Sequence, residues 1–410
     1  MHVLIIAPVH SGLLYIDSAH RLGASVSVIT TDKDDFNIEE HDKAKIDRLI
    51  AVNDLLSETL IAAARTLHAE QPISAVVAGV EFVVEETAAV AEALDLPGLH
   101  PEDAAVVRDK AKMRGRLKDA GVRTVRYAKA GTATDLEHVA ETVGFPAVIK
   151  PLSMAGSMGV VRVDTAVELL AAYEDICNDH VGWGDHIPGT EVLLEELLVG
   201  TEYCVDGYVT QDGTVHVFEF VKVELGPQPH FQEIGYTSYR AEDLDCAQDL
   251  CDYITSVVRA MNITVGPFHS EVMLTATGPV LIEIANRLPG DHLPELTERA
   301  TGIAFADVAL ASLLAIPTPP PSTPNARVAA SQFIIDPRFA GEAYTRLEGW
   351  DETTKHDSVD DAQISIAAGE IISVQQDVRS RIAEIQFHAE SVEEAEAFRA
   401  KIKERVRLVR

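Results

Sequence analysis

The sequence predicts an α/β protein whose first lobe is a doubly wound parallel sheet, and three observations lead there. Short β-branched runs at 3–7, 25–30 and 75–78 alternate with helix-like stretches closing at 20–23, 62–70 and 85–94. That is the rhythm of strand–helix–strand crossovers, which place helices on both faces of a parallel sheet. Hydrophobic residues make up 47% of the 410 residues and charged residues 24%, so the chain can bury cores in spite of a net charge of −31. Two later strands each place a glutamate inside an apolar run, which marks a second α/β region with chemistry in it.

The first turn, Ala7-Pro-Val-His-Ser-Gly12, lacks the Gly-x-Gly-x-x-Gly spacing that lets a backbone approach a pyrophosphate. A nicotinamide-cofactor enzyme is therefore disfavoured, and residues 1–100 read as a scaffold lobe. The acidic balance repels polyanions at long range, which excludes a nucleic-acid partner. Cys177, Cys204, Cys246 and Cys251 are widely spread, as suits free thiols of a reducing compartment. The N-terminus has no basic segment or cleavage site, and no apolar run has the length of a membrane span. A soluble cytoplasmic protein with no membrane partner is expected.

Residues 108–120 predict one basic helix with Lys110, Lys112, Arg114, Arg116 and Lys118. A strand at 145–151 ends at Lys150, followed by a small-residue loop at 153–159 and a strand at 160–163. Residues 225–241 read as irregular. Strands at 269–274 and 280–285 hold Glu271 and Glu283, with a turn at 276–279 between them. Residues 317–324 form a stiff proline linker. Beyond it a small α+β tail is expected, with a hairpin of 364–368 and 370–374 about Gly369, a strand at 382–387 and a helix at 391–406. The domains are then 1–100, 101–200, 201–324 and 325–410.

Lys110 and Lys150 supply two fixed cations. The Ser/Gly loop beside them offers backbone N–H groups with little bulk, a combination that suits a triphosphate. The loop does not match a P-loop. An ionised carboxylate in an apolar strand is costly unless paired or bound to a cation. A hairpin would set Glu271 beside Glu283, and Mg²⁺ bridging to ATP phosphates is the natural cation there.

The ordered set Asp109-Lys110…Arg114, the 146–150 strand, the Ser/Gly loop, Glu195-Glu196-Leu-Leu-x-Gly-x-Glu202, Glu271, and Glu283 with Arg287 resembles the ATP-grasp superfamily of carboxylate–amine ligases. Within it, Gly266-Pro-Phe-His-Ser-Glu271, Phe231-Gln-Glu-Ile-Gly235 and the 282–292 segment look most like the L-amino-acid ligases of the bacilysin-synthetase type. The resemblance implies an ATP-grasp fold with an N-terminal pre-ATP-grasp domain and a small C-terminal α+β subdomain. Lys110 and Lys150 would contact ATP phosphates, under a loop containing Ser153, Gly156, Ser157 and Gly159. Glu195 and Leu198 would border the adenine, and Glu202 would take the ribose. Glu271 and Glu283 would hold Mg²⁺, two ions in all, with Mn²⁺ as a substitute. Arg287 would be the catalytic residue, holding the transferring phosphate and the oxyanion. Substrates would be gripped by Glu233, Tyr236, His269, Arg287, Gly290 and Asp291. His269 and His292 are expected in structural hydrogen bonds.

Three positions depart from the family pattern. Ala285 stands where the superfamily has an Asn. Tyr236 and Asp291 stand where the bacilysin-type enzymes have a histidine and an indole. An acidic Asp291 is expected to favour a basic or amino-bearing group. The implied reaction joins a small carboxylate to an amine substrate through an acyl phosphate, giving ADP and phosphate. A homodimer through the apolar first lobe stays open. The rival readings are a bicarbonate-using carboxylase, a purine-pathway ligase, or a nucleotide-binding module without catalysis.

Overall fold

The computed structural model describes residues 1–31, 38–179 and 189–410. The first lobe contains β1 (His2–Ile6), α1 (Leu14–Arg21), β2 (Ser25–Thr31), α2 (Glu40–Lys43), β3 (Arg48–Val52), α3 (Ser57–Glu70), β4 (Ala75–Ala78) and α4 (Val84–Ala93). Its four strands run parallel in the order β3-β2-β1-β4. β1 is buried throughout, as an apolar run covered on both faces should be. β3 was not expected. Its residues are mostly exposed, so the buried-run signal that marks the other three is absent.

The basic helix expected at 108–120 is present as α6 (Lys110–Asp119), starting two residues later because Arg108 ends a preceding helix, α5 (Pro101–Arg108). Asp109 is extended, and its carboxylate accepts from the backbone N–H of Ala111 (2.9 Å) and Lys112 (3.0 Å). An aspartate cap of this kind satisfies orphan donors and restarts the helix.

A small antiparallel sheet follows, built from β5 (Tyr127–Ala130), β6 (Ala147–Pro151), β7 (Val161–Val163) and β8 (Val192–Glu196) in the order β5-β8-β6-β7. α7 (Leu136–Val143) and α8 (Ala166–Asn178) back it with their own apolar core.

The largest sheet has eight antiparallel strands in the order β13-β12-β9-β10-β11-β14-β17-β16. They are β9 (Gly200–Val209), β10 (Val215–Leu225), β11 (Glu233–Tyr239), β12 (Gly266–Thr275), β13 (Gly278–Ala285), β14 (Val328–Ile334), β16 (Val359–Ile364) and β17 (Ala383–Ala389), with β15 (Arg346–Glu348) apart from them. The sheet carries α9 (Ala247–Ala260), α10 (Leu293–Thr301) and α11 (Phe305–Leu313). One core cluster joins α3 and α4 of the first lobe, together with α5, to α9 and this sheet. α12 (Trp350–Thr353), α13 (Val392–Arg405) and β18 (Arg407–Val409) complete the tail.

Two expectations are corrected here. The stretch 225–241 contains β11, whose Ile, Tyr and Thr residues suit a half-buried strand. The hairpin about Gly369 does not form. β16 instead pairs with β17, from Val359 opposite Phe387 to Ile364 opposite Ala383. β17 is buried, whereas Ile371 and Val374 are exposed, so burial favours β17 as the partner. The tail beyond the prolines is thus continuous with the large sheet, through β14 paired to β11. Residues 365–382 become a long connection that runs back to the cleft.

Candidate active site

A cleft lies between the β6–β8 sheet and the β12–β13 end of the large sheet. Register sets Glu271 directly opposite Glu283 across β12 and β13. The side-by-side carboxylates expected from the sequence are therefore present. Burial pushes the Glu271 carboxyl well above its usual range, and Glu283 adds to the rise. A divalent cation reverses that cost.

The two lysines reach the cleft from different elements. Lys110, in the first turn of α6, donates from Nζ to the Met154 carbonyl at 2.8 Å and pairs with Glu283 at 3.0 Å. Lys150, near the end of β6, pairs with Glu195 at 2.6 Å. Glu195 also accepts from Arg114 Nε at 2.7 Å, and Arg114 donates from Nη2 to the Ile282 carbonyl at 2.6 Å. Lys110 and Arg114 sit four residues apart on one helix face, and Arg114 is 0% exposed. Burial opposes ionisation of Glu195, but Arg114 and Lys150 outweigh it and hold the carboxyl at about 2. Burial pushes the Lys150 ammonium down.

Glu195, Leu198 and Glu202 all line the cleft together with Gly156, Ser157 and Glu233. Burial first, and the nearby Glu233 second, push the Glu202 carboxyl up to about 8, so it can donate as well as accept. In the loop, Gly156 adopts φ +63°, and a Cβ there would meet Val378 of the tail at 2.9 Å. Glycine is needed on both counts. Ser157 donates from Oγ to the Phe231 carbonyl at 2.9 Å and to Glu233 at 3.1 Å. Ser153 and Gly159 stand outside the cleft lining. Ser153 offers its carbonyl to Arg108 at 2.8 Å, and Gly159 lies where a Cβ would press on Pro151.

Arg287 donates from Nη1 to the Leu288 carbonyl at 2.7 Å and from Nε to Glu81. Glu81 also accepts from Arg108 Nη1. Burial works against the Glu81 anion, yet Arg287 and Arg108 hold its carboxyl at about 2. A chain of bonds thus runs from Arg287 through Glu81 and Arg108 to Ser153 of the loop. Glu81 and Arg108 were missed by sequence reasoning. One signal existed for Glu81: it follows β4 where the strand order diverges, and doubly wound sheets present functional groups at such points.

Glu233, Tyr236 and Asp291 form one largely buried cluster about Arg381, and His269 stands apart from it. Arg381 pairs with Glu233 at 2.6 Å and with Asp291 at 2.7 Å. Tyr236 donates its hydroxyl to the same Asp291 oxygen at 2.7 Å. Asp291 and His292, beyond Gly290, both adopt left-handed backbone, φ 54° and 57°, a strained arrangement that the surrounding bonds hold in place. Asp291, expected to favour a basic or amino-bearing group, gives one oxygen to the Arg381 guanidinium and the Tyr236 phenol within the protein. His269 bonds through Nδ1 to Asp206 at 2.8 Å, and His292 through Nδ1 to Glu295 at 3.1 Å. No sequence signal pointed to Arg381, which lies 148 residues from Glu233.

An ATP-grasp domain is matched over residues 143–295 and an ATP-grasp N-terminal domain over 16–98. Dapdiamide A synthase of Enterobacter agglomerans is 32% identical over 56% of this chain and 54% of its own length. The chain therefore spans about half of that relative. The L-arginine-specific L-amino acid ligase of Bacillus subtilis is 20% identical over 74% of this chain and 72% of its own. The crystal structure of an L-amino acid ligase from Bacillus licheniformis superposes with a TM-score of 0.79 at 23% identity, covering 100% of this chain and 98% of that one. The fold is the ATP-grasp fold. No helix among the described residues is long and apolar enough to cross a membrane.

Proposed function

We propose that this ATP-grasp protein is an ATP-dependent carboxylate–amine ligase that forms a dipeptide-like amide bond in the cytoplasm. The observation that bears most weight is the pairing of Glu271 with Glu283 beside Lys110, with Arg287 following β13. Two carboxylates with no third protein ligand grouped about them among the described residues fit Mg²⁺, which takes oxygen ligands and shares its shell with phosphates. Glu271 and Glu283 would hold it, two ions being our reading and Mn²⁺ a workable substitute. Its chemistry when bound is to offset charge between reacting anions.

The chain's own residues do the rest. Lys110 and Lys150 exchange their glutamate partners for phosphate oxygens when ATP enters. Leu198 borders the adenine through its backbone, beside Glu195, and Glu202 takes the ribose hydroxyls. The substrate carboxylate oxygen attacks the γ-phosphorus, ADP leaves, and an acyl phosphate forms. The amine then attacks the acyl carbon, loses a proton, and expels phosphate. Arg287, aligned by Glu81, steadies both anionic stages with a charge-assisted grip. The loop at 153–159 excludes water that would hydrolyse the acyl phosphate.

The test is a panel of amino-acid pairs with MgATP, scored by phosphate release and product mass. An amide product with equimolar ADP and phosphate is expected. Phosphate release with bicarbonate and with no amino-acid pair would overturn the reading in favour of a carboxylase.

A further inference from the structure

We propose that Arg379 of the tail is a positioning residue that clamps the small sheet, with its 153–159 loop, against the large sheet and so keeps water from the acyl phosphate. The inference goes beyond the ligase reading above and rests on it only for that intermediate. Asp377 opens a short turn, Val378–Ser380. One of its carboxylate oxygens accepts from the Arg379 backbone N–H at 3.0 Å and from Nε at 2.9 Å, and the other accepts from Nη2 at 2.6 Å. The outer edge of the guanidinium is thereby aimed at Asp179, the residue after α8, with Nη1 at 3.2 Å and Nη2 at 2.8 Å from its two oxygens. Asp377 and Asp179 are 3% and 9% exposed, and buried pairs are little screened. A planar fork can hold a carboxylate on each edge at once, which a lysine ammonium cannot copy.

The turn is anchored on its other side by the large sheet. Gln232, just before β11, donates from Nε2 to the Asp377 carbonyl at 2.7 Å and to Ser380 Oγ at 2.8 Å. Val378 packs in the space that Gly156 leaves. The turn therefore meets the loop through Val378 and the small sheet through Arg379, while Gln232 holds it to the body. Arg379 does not line the cleft, so it acts on the reaction only by fixing where the loop lies. Loops that shut a site exclude water from reactive intermediates. With the clamp cut, water takes the place of the amine. Its oxygen adds at the acyl carbon and stays in the carboxylate, a proton is released, and phosphate leaves. ATP is then consumed with no amide formed.

Wild type, Arg379→Ala, Asp179→Asn and the double variant are compared. ADP and amide are measured with MgATP and each pairing of the amino-acid panel, and hydrogen exchange of the 153–159 amides is followed with MgADP bound. ADP and amide should stay equimolar in the wild type, and ADP per amide should rise about threefold or more in either single variant. Exchange in the loop should quicken about tenfold. The double variant should be no worse than the singles, because cutting either side of one contact removes the same interaction. Arg379→Lys should restore the ratio only in part. A loss of folded protein alone would lower ADP and amide together and leave their ratio unchanged. If Arg379→Ala fails to fold, Asp179→Asn, which leaves the turn intact, decides. An unchanged ratio or unchanged exchange in folded variants, or effects that add in the double variant, overturn the proposal and leave the ligase reading intact. No amide from any pairing overturns the ligase reading, and the exchange result then decides the clamp alone.

Discussion

The two ends of the cleft are built differently. At the proposed nucleotide end, Lys110, Lys150, Glu195, Glu202, Glu271 and Glu283 come from α6, β6, β8, β9, β12 and β13, each on a strand or at a helix start. At the amino-acid end, Arg287 depends on Glu81 of the first lobe, and Glu233 and Asp291 depend on Arg381 of the tail. Both ends depend on contacts between residues far apart in sequence, but those of the first stay within 110–283, whereas the second draws on Glu81 of the first lobe and Arg381 of the tail.

The largest effect separating the two ends is expected at Arg287. Arg287→Ala should lower kcat by about 10²–10³-fold, the cost of losing one aligned oxyanion donor, while ATP affinity measured by titration stays near wild type. Equal losses in both would place Arg287 at the nucleotide end instead.

Glu195→Ala comes next, and it acts on stability. It strands Lys150 and leaves Arg114 to the Ile282 carbonyl, and breaking a buried pair in this way costs about 3–5 kcal/mol. Denaturant unfolding should show a fall of that size in the unfolding free energy. A change under 1 kcal/mol would mean that the network contributes little to the fold.

Glu81→Gln sharpens the comparison because it reaches Arg287 only from the first lobe. A fall in kcat of about 10–100-fold with little change in KM for ATP is expected, as for other outer-shell partners. Its pH signature has a definite sign. The Glu81 carboxyl is depressed from 4.5 to about 2 on folding, so its contribution to stability is present above pH 4.5 and lost as the pH falls towards 2. The stability gap between wild type and Glu81→Gln should narrow over that window.

Lys150→Ala gives the smallest of these effects. ATP binding should weaken by roughly tenfold, about 1.4 kcal/mol. Arg114 still neutralises Glu195, so the melting temperature should fall less than in Glu195→Ala.

The same contrast explains what could be read from sequence. Glu271 and Glu283 were legible because a two-strand hairpin with a short turn fixes which residues face each other. Lys110 was legible as a local reversal of sign in an acidic chain, although the Asp109 cap that starts its helix was not. β11 hid inside a stretch rich in Gly, Pro and charged residues. The true partner of β16 hid because 364–374 looks like a hairpin until burial is known. Arg381 reaches Glu233 from the end of the 365–382 connection that the pairing of β16 with β17 leaves. No spacing in the sequence encodes that delivery.

The central claim is that a carboxylate is activated as an acyl phosphate between these two ends. Donor amino acids labelled with ¹⁸O in the carboxylate test it directly, with the released phosphate analysed by mass. One labelled oxygen per phosphate is predicted, because the attacking carboxylate oxygen leaves with the phosphorus. Amide formation with unlabelled phosphate, or with AMP and pyrophosphate as products, would contradict the account.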